Sequence, residues 1–419
     1  MPVGKNLVII GAGIVGLSCA HYARQAGFDV TVIDPDVAQD RASYGNAGIL
    51  AVCDALPLAT PGLIKRLPSL MLSRSSPLCI RWRYLPTLAP WLYRFVRASA
   101  RDRVRASSVA LHSILSQAMP AHLELAAAAN AGDQIVQSGW LKAFETELAY
   151  RRGADERAAL LDLGVPAQDL SRPEIDELVP AARGLFQRAT LYPSCARIRD
   201  PGRYIDDIAA ACRSLGVKFI NARAKSFIFR DPAARASPCG VRIDGATVSG
   251  DFFVIAAGAW SKPLAAQLGS VVPLDTERGY HVMVRHEGDP LFHVPVLWSE
   301  KSVVISPLAR GIRITSSVEF AGLRAPARYA AIDKTMRQIR AMVPALSGPV
   351  ESHWLGFRPS IPDSRPVIGP TTLHRNCYLA FGHGHLGLTL GPITGKLIAQ
   401  RLAELEPSVD LDPFSAERF

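Results

Sequence analysis

The chain has 419 residues, with 47 Lys and Arg against 37 Asp and Glu, a formal net charge of +10, and 48% apolar and 20% charged residues. That composition excludes a disordered chain, a collagen and a small disulfide scaffold, and the length exceeds one ordinary domain of roughly 100–200 residues. The charge is concentrated: Lys65, Arg66, Arg74, Arg81, Arg83, Arg94, Arg97, Arg101, Arg103 and Arg105 share the stretch 65–105 with one acid, Asp102, so this stretch holds +9 of the +10. The seven cysteines lie far apart with no C-x-x-C pair and are read as reduced thiols of a cytoplasmic protein. No apolar run reaches the ~18 residues of a spanning helix. The ten histidines show neither H-x-x-x-H nor H-E-x-x-H spacing, so no metal site is expected.

Asn6–Ile10 (NLVII) is a short apolar run suited to a strand buried on both faces. Gly11-Ala-Gly13-Ile14-Val15-Gly16 follows, then a helically spaced stretch closed by Gly27, then a second strand over Asp29–Asp34. This order predicts a dinucleotide site. The glycines let the backbone turn tightly and approach a pyrophosphate, and the helix N-terminus offers N–H groups and the positive end of its dipole. Asp34, at the end of the second strand, is placed to accept hydrogen bonds from ribose hydroxyls. The unit alone does not distinguish FAD from NAD. Ser43-Tyr-Gly45-Asn46-Ala47-Gly48 is a loop of mostly small residues, which lets a backbone approach a flat ring system closely.

Residues 105–165, rich in Ala and Leu, read as mostly helical, and 231–240 as a turn-rich hairpin connection. Phe252–Ile255 is a strand that runs into Ala256-Ala257-Gly258-Ala259-Trp260-Ser261. Val282–Val284, Val294–Leu297, Val303–Ile305 and Ile312–Ser316 are β-branched runs separated by Gly, Pro and charge, as an antiparallel sheet requires. Two heavily punctuated segments close the chain, Trp354–Pro370 and Phe381–Thr389, the second leading into a helix expected over Pro392–Leu402.

Together these motifs resemble those of the D-amino-acid oxidase superfamily of FAD enzymes, and within it the bacterial D-amino-acid dehydrogenases. The shared patterns are the small-Asn-Ala-Gly loop ending at Gly48, A-x-G-x-W-S from Ala256, G-x-R-P-x-x-P-D-x-x-P-x-I-G from Gly356 and G-H-G-x-L-G-x-T from Gly382. The resemblance runs from residue 6 to 402. It implies an α/β fold in which a Rossmann-like FAD-binding lobe (1–55, 190–270 and 353–405) interleaves with an α+β substrate lobe on a large mixed or antiparallel sheet (56–189 and 271–352), with a tail over 406–419. It also implies that FAD is held by Gly11, Gly13, Ile14, Val15, Gly16, Asp34, Ser43, Asn46, Ala47, Gly48, Ala224, Ala257, Gly258, Trp260, Gly384, His385, Leu386, Gly387, Leu388 and Thr389.

The activity the resemblance implies is oxidation of an amine. The hydride on Cα passes to flavin N5, leaving an imine that water hydrolyses. Arg358 sits where related glycine oxidases bind the substrate carboxylate, and a guanidinium suits that task because it makes paired, charge-assisted bonds. His385 stands where those oxidases carry a second arginine. Tyr280 and His281 face opposite ways on one strand, so only one lines a site, and Tyr280 is the expected partner for carboxylate or amine. Trp298, His353 and Trp354 are expected in the core.

A D-amino-acid dehydrogenase is the leading expectation, with D-proline or 4-hydroxy-D-proline first and D-alanine next, and electrons passed to a quinone or another acceptor. A sarcosine- or glycine-type oxidase using oxygen is the alternative. An RNA-modifying flavoprotein is a further one, motivated by the aromatic residues Trp82, Tyr84, Trp91, Tyr93 and Phe95 among the arginines, but no RNA-binding module accompanies them and nucleic acid is not the expected partner. The stretch 65–105 reads either as a solvated basic face or as a peripheral docking surface on the anionic inner face of the cell membrane.

Overall fold

The computed structural model describes residues 4–35, 41–64, 78–230 and 237–419. Two large sheets organise it. The smaller has six strands in the order Lys218–Asn221, Asp29–Asp34, Asn6–Ile10, Phe252–Ile255, Cys377–Phe381 and Val367–Pro370. Its first five strands are parallel, and only the last pairing is antiparallel. Strands at its centre, such as Asn6–Ile10, are buried along nearly their whole length, which explains their unbroken apolar text.

The larger sheet has nine strands. It begins at the edge strand Val350–Ser360 and continues through Asp275–Arg285, Gly311–Phe320, Val303–Leu308, Val296–Trp298, Trp140–Phe144, Arg188–Tyr192 and Gln168–Leu170. Leu78–Ile80 pairs in parallel with Gly311–Phe320. The sheet is mixed, since Val296–Trp298 also runs parallel to Trp140–Phe144. Val350–Ser360 crosses the lobe boundary drawn at residue 353 and belongs to this sheet throughout. The stretch 105–165 is helical over Arg101–Leu115, Ala118–Ala128, Glu147–Arg152 and Ala154–Asp162, but Trp140–Phe144 within it is a fully buried strand.

The final helix is Gly387–Leu402 and starts five residues before its expected beginning at Pro392. Proline has no N–H to offer the carbonyl four residues back, here that of Leu388. The buried His122 supplies the donor, its Nε2 lying 2.9 Å from Leu388 O while its Nδ1 lies 3.0 Å from the Tyr204 hydroxyl. This helix lies directly on Ile14–Gln25. A Cβ at Gly391 would come 2.6 Å from Ile14 Cγ1, and one at Gly395 2.4 Å from the Ser18 carbonyl carbon. Two glycines one turn apart therefore let the G-H-G-H-L-G segment approach the G-x-G-x-x-G loop. The last residues are not a free tail: Phe414 is fully buried and Arg418 Nε pairs with Asp363 at 2.9 Å.

Of the basic stretch, Lys65, Arg66 and Arg74 lie outside the described residues. The helix Leu85–Ala98 buries Leu88, Trp91, Phe95 and Ala98. Arg81 Nε pairs with Glu319 at 2.7 Å, and the Tyr84 hydroxyl donates to Asp275 at 3.0 Å. Four of the residues expected on a basic, aromatic surface (Arg81, Tyr84, Trp91 and Phe95) are thus used by the fold. Trp82, Arg83, Tyr93, Arg94 and Arg97 remain exposed. Among the described residues no helix is long and apolar enough to cross a membrane.

Candidate active site

A cleft of about 450 Å³ runs between the two sheets, within the range of small-molecule sites. One end is the loop between Asn6–Ile10 and Ile14–Gln25. Gly11 has φ +112°, and a Cβ there would lie 2.3 Å from Ala256 O. Gly16 packs on the loop itself, its Cβ position 2.0 Å from Gly11 O, and does not line the cleft. Gly13 does line it, and the nearest atom to its Cβ position is Ser43 Oγ at 3.6 Å. Gly11 and Gly13 both line the cleft, and of the two it is Gly13, with nothing closer than 3.6 Å to its Cβ position, that leaves room for a ligand. The helix that follows has no acid in its first turn and no side-chain cap from Gly13, so its positive end is available to an anion.

Asp34 lines the cleft at the end of its strand. Its Oδ2 accepts from Ala12 N at 2.7 Å and its Oδ1 from Arg41 at 2.8 Å. Ser43 Oγ accepts from Ile14 N at 3.2 Å, which brings the 43–48 loop against the helix start. Asn46 Oδ1 accepts from Gly48 N at 2.8 Å and closes the turn. From the other side, Arg313 donates to the carbonyls of Tyr44 and Asn46, and burial lowers its pKa to about 10. His281 Nδ1 donates to Gly45 O at 3.0 Å.

The structure corrects Tyr280. Strand alternation sends it to the face away from the cleft, where its hydroxyl donates to Glu319 Oε2 at 2.7 Å beside Arg278 and Arg81. Burial first, and then the Glu319 bond, push its pKa up to about 12. The opposite face carries Gly279, which lines the cleft, and His281, whose ring stacks on Trp354 at 5.0 Å between centroids. Trp354, expected in the core, lines the cleft instead. Its indole lies over Gly45 and Gly356, where added Cβ atoms would come 2.2 and 1.8 Å from the ring. Trp298 is fully buried, and His353 pairs with Asp333 at 2.7 Å.

Arg358 also lines the cleft. It sits opposite Glu277 in the pairing of Val350–Ser360 with Asp275–Arg285, and its guanidinium lies flat over Gly279. Glu277 Oε1 accepts from the Ser360 hydroxyl at 2.6 Å. Among the described residues Arg358 has no hydrogen-bond or ion-pair partner. Burial lowers its pKa from the ordinary value, and the nearby Glu277 charge works against that shift.

Ala224, Ala257, Gly258, Trp260, Gly384, Gly387 and Leu388 line the cleft, together with Ile14, Val15 and Ala47. Gly48, Leu386 and Thr389 do not. Thr389 Oγ1 accepts from Ala51 N at 3.1 Å and donates to Ile49 O at 3.4 Å, tying the strand after the 43–48 loop to the final helix. His383 is buried, its Nε2 2.9 Å from Thr394 Oγ1, and burial lowers its pKa to about 3. His385 lines the cleft with Nε2 2.9 Å from Asp54 Oδ2. Asp54, Arg41 and Trp354 are cleft residues that no motif indicated.

A family model described as FAD dependent oxidoreductase, DAO, matches residues 6–401. The chain belongs to the DAO family of FAD-dependent oxidoreductases. Its cofactor is FAD, and the cleft fits it: an open glycine at a helix N-terminus, an acid at the end of the second strand and small residues along the walls. A D-amino-acid oxidase of Bradyrhizobium diazoefficiens is 34% identical over the full length of both chains. A D-amino acid dehydrogenase of the same organism is 28% identical over 99% of each. Glycine oxidase from Geobacillus kaustophilus has the same fold, with a TM-score of 0.74 at 20% identity over 99% of both chains.

Proposed function

We propose that this DAO-family enzyme oxidises a D-amino acid and passes the electrons to a quinone or another carrier. One observation carries the substrate reading: Arg358 lines the cleft and, among the described residues, has no hydrogen-bond or ion-pair partner. A desolvated guanidinium that no anion hydrogen-bonds is costly, even with the Glu277 charge nearby, so the site suits one, and a carboxylate matches its fork. Bound FAD supplies the two-electron acceptor. Arg358 fixes the carboxylate, and the surrounding walls fix the rest of the substrate and exclude water. Trp260, Trp354 and Phe357 supply aromatic surface there, which suits a compact apolar side chain. D-Proline and 4-hydroxy-D-proline are therefore put first and D-alanine next. The names of the two Bradyrhizobium relatives support the D-amino-acid class.

The test is anaerobic mixing of the purified flavoprotein with D-amino acids, their L-enantiomers, glycine and sarcosine. Loss of flavin absorbance with D-amino acids alone supports the proposal. Loss with glycine or sarcosine alone replaces it with the sarcosine- or glycine-oxidase reading.

For the acceptor, the relevant surface is the outer face of Leu85–Ala98. Trp82 and Tyr93 are 68% and 63% exposed beside exposed Arg83, Arg94 and Arg97. We propose that this face rests on an anionic membrane, where interfacial aromatics and about 1 kcal/mol per basic residue act together. Flotation with anionic vesicles tests it. The variant with Arg83, Arg94 and Arg97 changed to Gln should stay unbound, and equal flotation of variant and wild type overturns the idea.

A further inference from the structure

The cleft holds a pair of titratable side chains that fixing a carboxylate does not use. His385 Nε2 lies 2.9 Å from Asp54 Oδ2, and both residues line the cleft. A neutral imidazole that donates Nε2–H to a carboxylate must carry its lone pair on Nδ1. Among the described residues, Nδ1 of His385 has no hydrogen-bond partner. His383, two residues earlier, also lines the cleft, but its Nε2 meets the hydroxyl of Thr394, so no carboxylate stands behind its ring. The turn Gly384–Leu386 packs against Val350–Ser360, the strand that carries Arg358, so the free imidazole nitrogen and the free guanidinium belong to one region of the cleft.

We propose that His385 is the base that takes the proton from the substrate ammonium, and that Asp54 is the residue that positions it. The inference rests on the amino-acid reading above and adds a step to it. Near neutral pH an amino acid arrives as a zwitterion, and an ammonium nitrogen has no electron pair with which to form a C=N bond as the Cα–H is removed. One N–H bond of the ammonium breaks, its electron pair stays on nitrogen, and the proton bonds to His385 Nδ1. Amine and imidazolium are the products, and no electrons leave the substrate in this step.

The charges around the pair suit that transfer. Asp54 stays anionic: burial alone would raise its pKa, but the His385 bond and the Lys142 charge outweigh burial and lower it. Lys142, on Trp140–Phe144, is buried, with Nζ 2.8 Å from Glu156 Oε1 and Glu156 half exposed. The buried Cys53, Cys195 and Tyr192 lie near Asp54, and Arg358 lines the same cleft. The proton therefore moves from a substrate already neutralised at its carboxylate by Arg358 to an imidazole facing a fixed carboxylate. A carboxylate that orients an imidazole and stabilises its cation is a general device of acid–base sites.

The test is the pH dependence of flavin reduction on anaerobic rapid mixing, with the best D-amino acid, for wild type, His385→Gln and Asp54→Asn. In His385→Gln the second-order rate should fall on the order of 10²-fold near neutral pH. It should then climb towards the wild-type rate in alkaline solution, where the substrate reaches the site already as the free amine. Asp54→Asn keeps an oxygen for the imidazole and removes the charge, so it should show a smaller loss of the same pH shape. Binding of a carboxylate that lacks an amine, read from the flavin spectrum, should be unchanged in both variants. Profiles parallel to wild type at every pH overturn the inference. If no amino acid reduces the wild-type flavin, the amino-acid reading itself has failed and the inference falls with it.

Discussion

Gly279→Ala is the sharpest probe of the carboxylate site, because it adds one methyl group and removes nothing. Gly279 sits under the Arg358 guanidinium. A Cβ there would lie 2.6 Å from Nη2, 2.7 Å from Cζ and 3.1 Å from Nε. Non-bonded carbon contacts are comfortable at about 3.5–4.0 Å, so the guanidinium must retreat by roughly 1 Å. A displacement of ~1 Å in a group that orients substrate can cost about 10²-fold in rate. That corresponds to about 2.7 kcal/mol of transition-state stabilisation. The loss should fall on kcat/KM for amino acids and spare amines that lack the carboxylate. The assay compares wild type and Gly279→Ala on a D-amino acid and on its decarboxylated analogue, with flavin content and Tm measured alongside. Two results refute the reasoning: a kcat/KM within about 2-fold of wild type for the amino acid, or an equal loss for both substrates.

Other perturbations follow from the same geometry. Arg358→Met should cost about 2–5 kcal/mol in carboxylate binding, seen as a raised KM with flavin still bound, since it removes one partner of a buried charge pair. Arg313→Met strands the carbonyls of Tyr44 and Asn46, at about 1–3 kcal/mol for each buried unsatisfied group, and should loosen the 43–48 loop enough to raise the FAD Kd about 10-fold by fluorescence titration. The protein should also be acid-labile. Burial lowers the pKa of His122 to about 4 and of His281 and His383 to about 3, so all three are neutral in the fold. Between those values and the unfolded value near 6.5 the unfolded chain binds more protons, so stability is full above 6.5 and falls as pH drops. At a pH of about 5 each histidine removes about 2 kcal/mol. Chemical denaturation at several pH values checks the slope, and His122→Gln should make it shallower.

What the sequence reveals and what it hides separate on physical lines. The βαβ unit is legible because its constraints are local: a doubly buried strand must be apolar, and a loop pressed against Ala256 must use glycine at Gly11. Cleft residues at the meeting of the two sheets are legible only where a motif marks them, as for Arg358. Asp54 carries no local signal, because its partner His385 is more than three hundred positions away and neither changes the periodicity around it. Tyr280 shows the limit of alternation, which states that neighbours on a strand oppose each other but not which of them meets the cleft. That choice is made by Arg358 on the adjacent strand, which requires a glycine opposite its guanidinium and so turns Gly279 and His281 inward and Tyr280 outward. Trp354 follows from the same arrangement, since a large ring against His281 needs Gly45 and Gly356 beneath it, two glycines about three hundred residues apart. A pattern of small residues facing one aromatic across two segments is visible in the text only after the pairing is known. Gly356 of the C-terminal motif is therefore better read as the complement of a particular large side chain than as the mark of a flexible loop.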